Sequence, residues 1–342
     1  MKWLLRRVGW SLFVVWAVVS IAFVVNNLVP GDPARMVAGV QARPADVDRI
    51  RQQLGLGDPA IVQYGRFWKR LVHLGPRVLD PKADPTHANC AVVLPLGASA
   101  VHLDFGKSFQ KRQPVVELVA TRLPRTFALA VAGMLVQLLL GLGTGIFAAA
   151  RRGSWVDRFL VGSSLLGISA PTFLIAFALQ LVFARGLGWL PLDGFGATLA
   201  DHARCLALPA LTLGIYGAAY YTRLVRDEMV VLLHQDWVRT ARAKGLSPVR
   251  VVLRHGLRNA LLPIVTAVGL DFGTLMGGAV VTETVFRWPG LGQLSVQALL
   301  DRDGPIILAC VIVTSVAIVA ANVVVDAVYA RLDPRVRSAS GP

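Results

Sequence analysis

The chain has 342 residues, of which 55% are hydrophobic and only 16% are charged, and its mean hydropathy is +0.58. This composition excludes an ordinary soluble domain and predicts a polytopic membrane protein. The net charge of +15 at pH 7 does not require a nucleic-acid partner, since no soluble module interleaves aromatic residues with Lys and Arg. Basic loops beside anionic membrane lipids account for this charge.

Six apolar stretches approach or exceed the roughly 20 residues that a helix needs to cross a bilayer. They cover residues 8–28, 123–150, 159–183, 206–224, 261–284 and 305–329. The first resembles a signal peptide, but no small-residue cleavage site follows it, so we expect an uncleaved anchor. The expected fold class is therefore all-α, a polytopic membrane protein with six transmembrane helices.

Basic residues beside the short loops predict the orientation, because Lys and Arg are retained on the cytoplasmic side. They precede the first stretch, fill residues 151–158 and 223–258 between later stretches, and follow the sixth. We therefore expect both termini to be cytoplasmic. The domains predicted on this basis are the N-terminus with the first helix (1–30), an extracytoplasmic subdomain (31–118) and a five-helix core (119–342).

The extracytoplasmic subdomain is predicted to be small and helical. Residues 46–56 have an amphipathic pattern, and an apolar and aromatic patch could pack on it. That patch contains Tyr64, Phe67, Trp68 and Leu71. Residues 75–89 are rich in Pro, Asp and Lys and are typical of an exposed loop. We expect helices and turns, with too little core to fold far from the membrane.

The three cysteines have no spacing typical of a metal site. Cys90 and Cys205 both fall on the predicted outer side, where a disulfide between them is permitted, although two independent thiols are favoured. Cys310 lies inside the sixth stretch and is expected to pack there. His102 and Asp104 are too few to define a metal site, and the sequence predicts none.

Nucleotide hydrolysis and covalent catalysis find no support in the sequence. Gly106, Lys107 and Ser108 suggest the end of a phosphate-binding loop, but Val101 stands where that loop requires a glycine. No Gly-x-Ser-x-Gly nucleophile motif or paired-histidine metal motif occurs either. We therefore predict no catalytic residue and no nucleotide bound by this chain.

The fifth apolar stretch combines small residues with a carboxylate. Gly269, Gly273 and Gly277 recur at fourfold spacing, which permits close helix packing or a path along bare backbone. Asp271 lies on roughly the opposite side of the same helix, at a depth where a carboxylate must be paired or hydrated. Asp271, Gly273 and Gly277 are thus candidates for a translocation path, and a purely structural partner for Asp271, such as Asn322, is the alternative.

A basic segment, residues 236–258, separates the fourth and fifth stretches. Asp236 is a candidate N-cap for a helix that should reach Lys244. Gly245 in the C′ position and Pro248 should end it, and a second helix is expected over residues 249–257.

This segment suits insertion into a cleft of a soluble subunit. Ala241 and Ala243 permit close contact, while Arg239, Arg242 and Lys244 supply charge for orientation. The alternative is an interfacial helix that binds anionic lipid.

Five motifs resemble one family over nearly the whole chain. Residues 240–246 (TARAKGL) and 254–263 (RHGLRNALLP) resemble the EAA loop of ABC importer permeases in its dipeptide/oligopeptide version. Residues 28–33 (LVPGDP), 282–292 (TETVFRWPGLG) and 333–337 (DPRVR) agree with the same branch. The chain therefore resembles the B-type permease subunit of a peptide importer.

Some positions depart from the family pattern. Arg239 and Thr240 replace the Glu and the first Ala of the general EAA motif, and Arg258 stands where many relatives have Pro. Residues 75–102, which contain Cys90, match no family motif that can be placed from the sequence.

The resemblance implies a non-catalytic subunit of the bacterial inner (plasma) membrane that forms half of a path for di- and oligopeptides. The implied partners are a second homologous permease, two ABC ATPase subunits or domains that bind ATP and Mg²⁺, an extracytoplasmic solute-binding protein, the peptide and membrane lipids. Coupling to the ATPases falls to residues 236–258. The coupling residues expected there are Arg239, Thr240, Ala241, Ala243, Lys244 and Gly245.

Two other functions stay open. The same scaffold could import nickel, haem, glutathione, a sugar or another small solute, since fold alone does not fix substrate. An ATP-independent channel is disfavoured, because polar residues within the apolar stretches are few and the cytoplasmic segment is elaborate.

Overall fold

The computed structural model describes residues 2–28, 33–39, 41–53, 55–76, 89–96, 99–277 and 279–332. The chain divides into two compact units. The first, called the core unit below, comprises Arg125–Gln293 with Met1–Arg7 and Ala317–Pro342. The second, called the sheet unit, comprises Val8–Pro124 and Leu294–Val316. The motif at 333–337 and most of the motif at 28–33 lie outside the described residues.

Long apolar helices dominate the chain, which confirms the all-α class. The longest are α1 (Lys2–Leu28), α5 (Val115–Ala150), α8 (Leu199–Leu233) and α14 (Gly304–Leu332). Among the described residues, α5, α8 and Gly304–Val325 of α14 are long and apolar enough to cross a membrane. The number rises to five if each of two bent helix pairs counts as one span, and α1 carries a shorter apolar helix, Gly9–Val25.

The third apolar stretch is broken, whereas the sequence predicts one continuous helix. It consists of α6 (Trp155–Ser169) and α7 (Thr172–Leu179), which ends in a π-helical turn, Gln180–Gly186. The two halves are bent by 104°. Pro171 explains the break, because proline lacks an N–H and disfavours helical geometry in the residue before it. Ala170 accordingly has extended backbone, with ψ of 127°.

The fifth stretch also differs from its predicted extent. After α9 (Asp236–Ala243), the chain forms α10 (Pro248–Arg250), a π-helical turn Val251–Gly256, and α11 (Leu257–Met276). The predicted second helix, 249–257, is therefore the beginning of a longer helical run, which bends by 55° between Pro248–Leu261 and Pro263–Met276. The stretch ends at Met276 instead of residue 284, and two short helices follow it. These are α12 (Val280–Val285) and α13 (Leu291–Leu300).

Glycines allow α5 and α8 to approach closely inside the core unit. A Cβ on Gly145 would lie 2.8 Å from the carbonyl oxygen of Thr222, and one on Gly141 would overlap the Cβ of Tyr221. Further along α5 and α8, a buried apolar cluster joins these two helices to α11. The small residues therefore fix the spacing of the helices that surround the site described below.

The sheet unit contains strands that the sequence does not predict. After α2 (Pro33–Ala38), α3 (Pro44–Gln53) and α4 (Ala60–Leu71), the chain forms β1 (Val72–Pro76), β2 (Cys90–Leu96) and β3 (Ser99–Asp104). The sheet is antiparallel with order β1-β3-β2. The prediction of helices and turns alone was wrong here. Alternate residues of β3 are buried, a period-two pattern that polar His102 and Asp104 conceal.

The aromatic patch on α4 packs against α1. The ring of Phe23 lies 5.4 Å from Tyr64 and 5.1 Å from Phe67, and the hydroxyls of Ser20 and Tyr64 are 2.6 Å apart. The sequence suggests packing on the amphipathic stretch at 46–56 instead. The loop predicted at 75–89 lies mostly outside the described residues, which resume at Asn89.

Candidate translocation site and coupling segment

The core unit contains a cavity of about 660 Å³. Its wall is mostly apolar, with a few polar groups. Residues of α5, α6, α7, α8, α11 and α12 line it; the polar members are Gln137, Thr172, Tyr216, Tyr220, Asp271, Thr274 and Thr282. This size and this mixture are typical of small-molecule sites, which span about 300–1,000 Å³ and have few orienting polar groups.

Asp271 is the acidic residue among those that line the cavity. Gln137 Nε2 donates a 2.5 Å hydrogen bond to Asp271 Oδ2, and the Tyr221 hydroxyl donates to the same oxygen at 3.3 Å. Thr274 Oγ1 lies 3.3 Å from the other carboxylate oxygen. Gln137 and Tyr221 are fully buried, whereas Asp271 keeps some exposure. Within the described part of the chain Asp271 forms no ion pair, so neutral donors alone hold the charge.

The glycines of α11 face away from this carboxylate. A Cβ on Gly269 would overlap the side chain of Val325 on α14, and Gly273 faces Ile318 of the same helix. Gly277 is the C-cap of α11. The hydrogen bonds that the described structure gives the Asp271 carboxylate come from Gln137 on α5, Tyr221 on α8 and Thr274 on α11, and not from the alternative partner Asn322. Asp271 lines the cavity, and Gly273 and Gly277 do not.

A second carboxylate, Glu283, is entirely enclosed by the chain. It is 0% exposed and accepts hydrogen bonds from Thr126 Oγ1 and from the backbone N–H of Gln293, each at 2.9 Å. Thr126 Oγ1 in turn accepts from the backbone N–H of Leu291 at 2.8 Å. The 282–292 motif is thus a turn closed around a buried charge, and Gly290 leaves room for that charge because any Cβ there would overlap the carboxylate.

The candidate coupling segment, residues 236–258, ends its first helix as the sequence predicts. Gly245 has φ of +76°, a conformation that glycine adopts at little cost. Its N–H donates to the Arg242 carbonyl at 2.9 Å, and the Leu246 N–H donates to the Ala241 carbonyl at 3.2 Å. These two bonds define a Schellman motif. The N-cap is Gln235, so the expectation of Asp236 was wrong by one residue.

One side of α9 is anchored and the other is exposed. Val238 is 2% exposed, and Trp237 Nε1 donates to Gln235 Oε1 at 2.8 Å. Ala241 is half-buried. The other predicted coupling residues are exposed: Arg239, Thr240, Ala243, Lys244 and Gly245.

A buried ion pair fixes α6 to α8 in the core unit. Asp157 is 3% exposed and accepts hydrogen bonds from Arg226 Nε at 3.1 Å and from Arg226 Nη2 at 2.9 Å. It also accepts from the Gly153 N–H at 2.9 Å. This paired geometry gives directional specificity as well as attraction, and it holds the helix that leads into α9.

None of the three cysteines forms a disulfide in the described structure, so the structure does not contain the permitted Cys90–Cys205 bond. Sequence reasoning also missed Gln137, Tyr221 and Thr126, because an amide or a hydroxyl in an apolar helix is common. Glu283 carried a stronger signal, since a charged residue within an apolar run must be paired.

Comparison with known proteins agrees with this architecture. The family model described as "Binding-protein-dependent transport system inner membrane component" matches residues 141–338, and the model of the corresponding N-terminal part matches residues 1–130. The chain therefore belongs to the inner-membrane components of binding-protein-dependent transport systems, the permease subunits of ABC importers.

Two curated relatives match almost end to end. The glutathione transport system permease protein GsiC of Salmonella typhimurium is 38% identical over 337 residues, which cover 98% of this chain and 99% of the relative. GsiC of Escherichia coli is 39% identical over 327 residues, covering 96% and 95%.

A solved structure shares the fold. An inward-facing structure of the MetNI methionine ABC transporter matches with a TM-score of 0.55 at 18% identity, covering 65% of this chain and 99% of that chain. At this identity the likeness concerns the fold alone.

Proposed function

We propose that this chain forms half of the translocation path of an ATP-driven importer of short peptides, with glutathione as the first candidate substrate. The near full-length similarity to glutathione permeases supports this class of substrate. The observation that carries the proposal is the Asp271 carboxylate, which faces a largely apolar cavity and is held by neutral donors. The bacterial inner membrane is the expected location, with both termini cytoplasmic.

The cavity chemistry fits the amino group of a peptide. A carboxylate in a low-dielectric site is costly unless a cation or several donors compensate its charge. Gln137 and Tyr221 supply neutral donors, and a peptide ammonium would supply the missing positive charge at the exposed part of Asp271. Neither His nor Cys lines the cavity among the described residues, so its chemistry favours a peptide over nickel or haem.

The coupling role of residues 236–258 is supported by their geometry. A short helix with one buried anchor and an exposed basic side presents a compact element to a cleft, and small Ala243 permits close contact. We assign ATP and Mg²⁺ binding to two partner ATPase subunits or domains. A second permease and a solute-binding protein complete the proposed complex.

The substrate assignment is tested with the complete complex in vesicles, by measuring ATP-dependent uptake of labelled glutathione and of di- to hexapeptides. Asp271→Asn keeps the size of the side chain and removes its charge. We expect uptake to fall at least about tenfold, since a charge-assisted contact contributes about 1.5–3 kcal/mol, while the solute-binding protein keeps its affinity for the peptide.

The matched control is Asp301→Asn, because Asp301 is exposed and lies outside the core unit. Equal uptake by wild type and Asp271→Asn would overturn the role of Asp271. Absence of peptide uptake by the wild type would overturn the substrate class and favour another small solute.

The coupling assignment is tested at Gly245. A β-branched residue is strongly disfavoured at positive φ, whereas Asn tolerates it. Gly245→Val should therefore reduce co-purification of the ATPase subunits and uncouple uptake from ATP hydrolysis, while Gly245→Asn should retain both. Retention of full coupling by Gly245→Val would contradict the assignment.

A further inference from the structure

Three residues with metal-binding side chains meet in the sheet unit. His73 lies on β1, His102 on the central strand β3 and Cys90 at the start of β2. The two histidines are direct cross-strand partners, and their rings lie 5.5 Å apart. One ligand atom from each of the three residues falls within 4.8 Å of the others. Cys90 and His102 are buried, and His73 is partly exposed.

Backbone carbonyls determine which nitrogen each histidine offers. His73 Nδ1 lies 2.9 Å from the Arg70 carbonyl oxygen, and His102 Nε2 lies 2.9 Å from the Pro76 carbonyl oxygen. A carbonyl oxygen can only accept, so these two nitrogens carry the protons. The lone pairs are consequently on His73 Nε2 and His102 Nδ1. An N–H donated to a carbonyl by the far nitrogen is the usual arrangement around a metal-bound histidine.

The distance between Cys90 and His73 suits a tetrahedral ion. Cys90 Sγ lies 3.6 Å from His73 Nε2. A zinc ion with Zn–S of about 2.3 Å and Zn–N of about 2.0–2.1 Å holds neighbouring tetrahedral ligands about 3.6 Å apart. One thiolate and two imidazoles also form a donor set that favours zinc over the oxygen-preferring magnesium and calcium ions.

We propose that His73, Cys90 and His102 bind one Zn²⁺ ion, with the fourth position open to water or another ligand. Binding requires loss of the Cys90 thiol proton, which makes the affinity fall at low pH. The ion would link β1 to β2 across β3. The site belongs to the sheet unit and the cavity around Asp271 to the core unit, so the proposal does not depend on the identity of the transported solute.

Sequence spacing could not reveal this site. The ligands come from three strands, and the antiparallel register brings them together. Cys90 and His102 also lie in the stretch 75–102, where the sequence resemblance offered no matching motif and predicted no metal.

The test uses the complete permease complex, purified with a tag that contains no histidine, treated with chelator and dialysed. Zinc content is measured by elemental mass spectrometry, and zinc affinity by competition with a chromophoric chelator. Cobalt substitution adds a spectroscopic readout, because a thiolate ligand produces a near-ultraviolet charge-transfer band. The variants are Cys90→Ser and His73→Gln, with Cys205→Ser as the matched control for a cysteine outside the site.

We expect the wild type and Cys205→Ser to bind one equivalent of zinc per chain and to show the cobalt band. Cys90→Ser and His73→Gln should bind at least about 100-fold more weakly and lack the zinc-induced rise in Tm. His73→Gln changes a partly exposed residue, so its folded state can be checked by circular dichroism even if Cys90→Ser does not fold. Zinc binding unaffected by His73→Gln, or absent from the wild type, would overturn the proposal.

Discussion

Asp271 and Glu283 are both carboxylates of the core unit, and their surroundings differ. Glu283 is 0% exposed and is surrounded by donors from its own turn and from Thr126. Asp271 is held by the side chains of Gln137 and Tyr221 and lines a cavity. The enclosed carboxylate organises the fold, whereas the one that faces the cavity has an accessible charge. Burial together with the origin of the donors therefore separates a structural acid from a ligand-facing one.

Substitution of Glu283 should have the largest effect on stability and gives the strongest test of the difference between the two carboxylates. Glu283→Ala removes the acceptor for the Thr126 hydroxyl and for the Gln293 N–H, and each buried donor left without a partner costs about 1–3 kcal/mol. We expect a loss of about 3 kcal/mol or more in the free energy of unfolding, visible as aggregation in detergent size-exclusion chromatography. A monodisperse variant with wild-type Tm would show that the carboxylate does not organise the turn.

Gly290→Ala should have the next largest effect. Its new Cβ would overlap the Glu283 carboxylate, and overpacking costs about 1–3 kcal/mol. Gly273→Ala is the matched control, because its nearest neighbour outside its own helix is Ile318 Cγ2 at 3.6 Å, an ordinary contact. We expect a lower Tm for Gly290→Ala and an unchanged or higher one for Gly273→Ala. Equal values for the two would remove the distinction between these glycines.

Asp271→Asn should leave stability nearly unchanged. Asn can still accept the hydrogen bond from Gln137, and removal of a charge from a low-dielectric site offsets the weaker bond. We expect the free energy of unfolding to change by less than about 1 kcal/mol, measured by thermal unfolding of the purified complex. A fall as large as that of Glu283→Ala would place Asp271 among the structural acids.

Tyr221→Phe should have the smallest effect. The hydroxyl lies 3.3 Å from Asp271 Oδ2, a long hydrogen bond, and the ring keeps its edge contact with the Tyr220 ring. A typical hydrogen bond contributes about 0.5–1.5 kcal/mol, so we expect a change near the lower end. Thermal unfolding of the variant, alone and combined with Asp271→Asn, checks this value. A combined effect equal to the sum of the single ones would show that the two groups are uncoupled.

The sequence predicts the helical class and the family because apolar length, basic loops and glycine positions are local signals. Gly245 ends its helix as predicted for the same reason. The bend at Pro171 was missed, although proline is a local signal, because the apolar run continued beyond it. The partners of Asp271 and the strands around His102 depend on helix packing and strand register, which bring together residues far apart in the chain. No pattern in the sequence predicts such contacts.

The helical run from Pro248 to Met276 bends by 55° between Pro248–Leu261 and Pro263–Met276, and this bend has a mechanical consequence. Each half of the run resists bending much more than a loop does, so a force applied at the Pro248 end passes from one half to the other through the bend. Measured along the helical path from Pro248, Asp271 lies about 35 Å away at 1.5 Å per residue. The π-helical turn Val251–Gly256 and Pro263 are the positions at which this helical path bends most easily. The extent to which Asp271 moves when the Pro248 end is displaced therefore depends on the stiffness of the helix at these two positions.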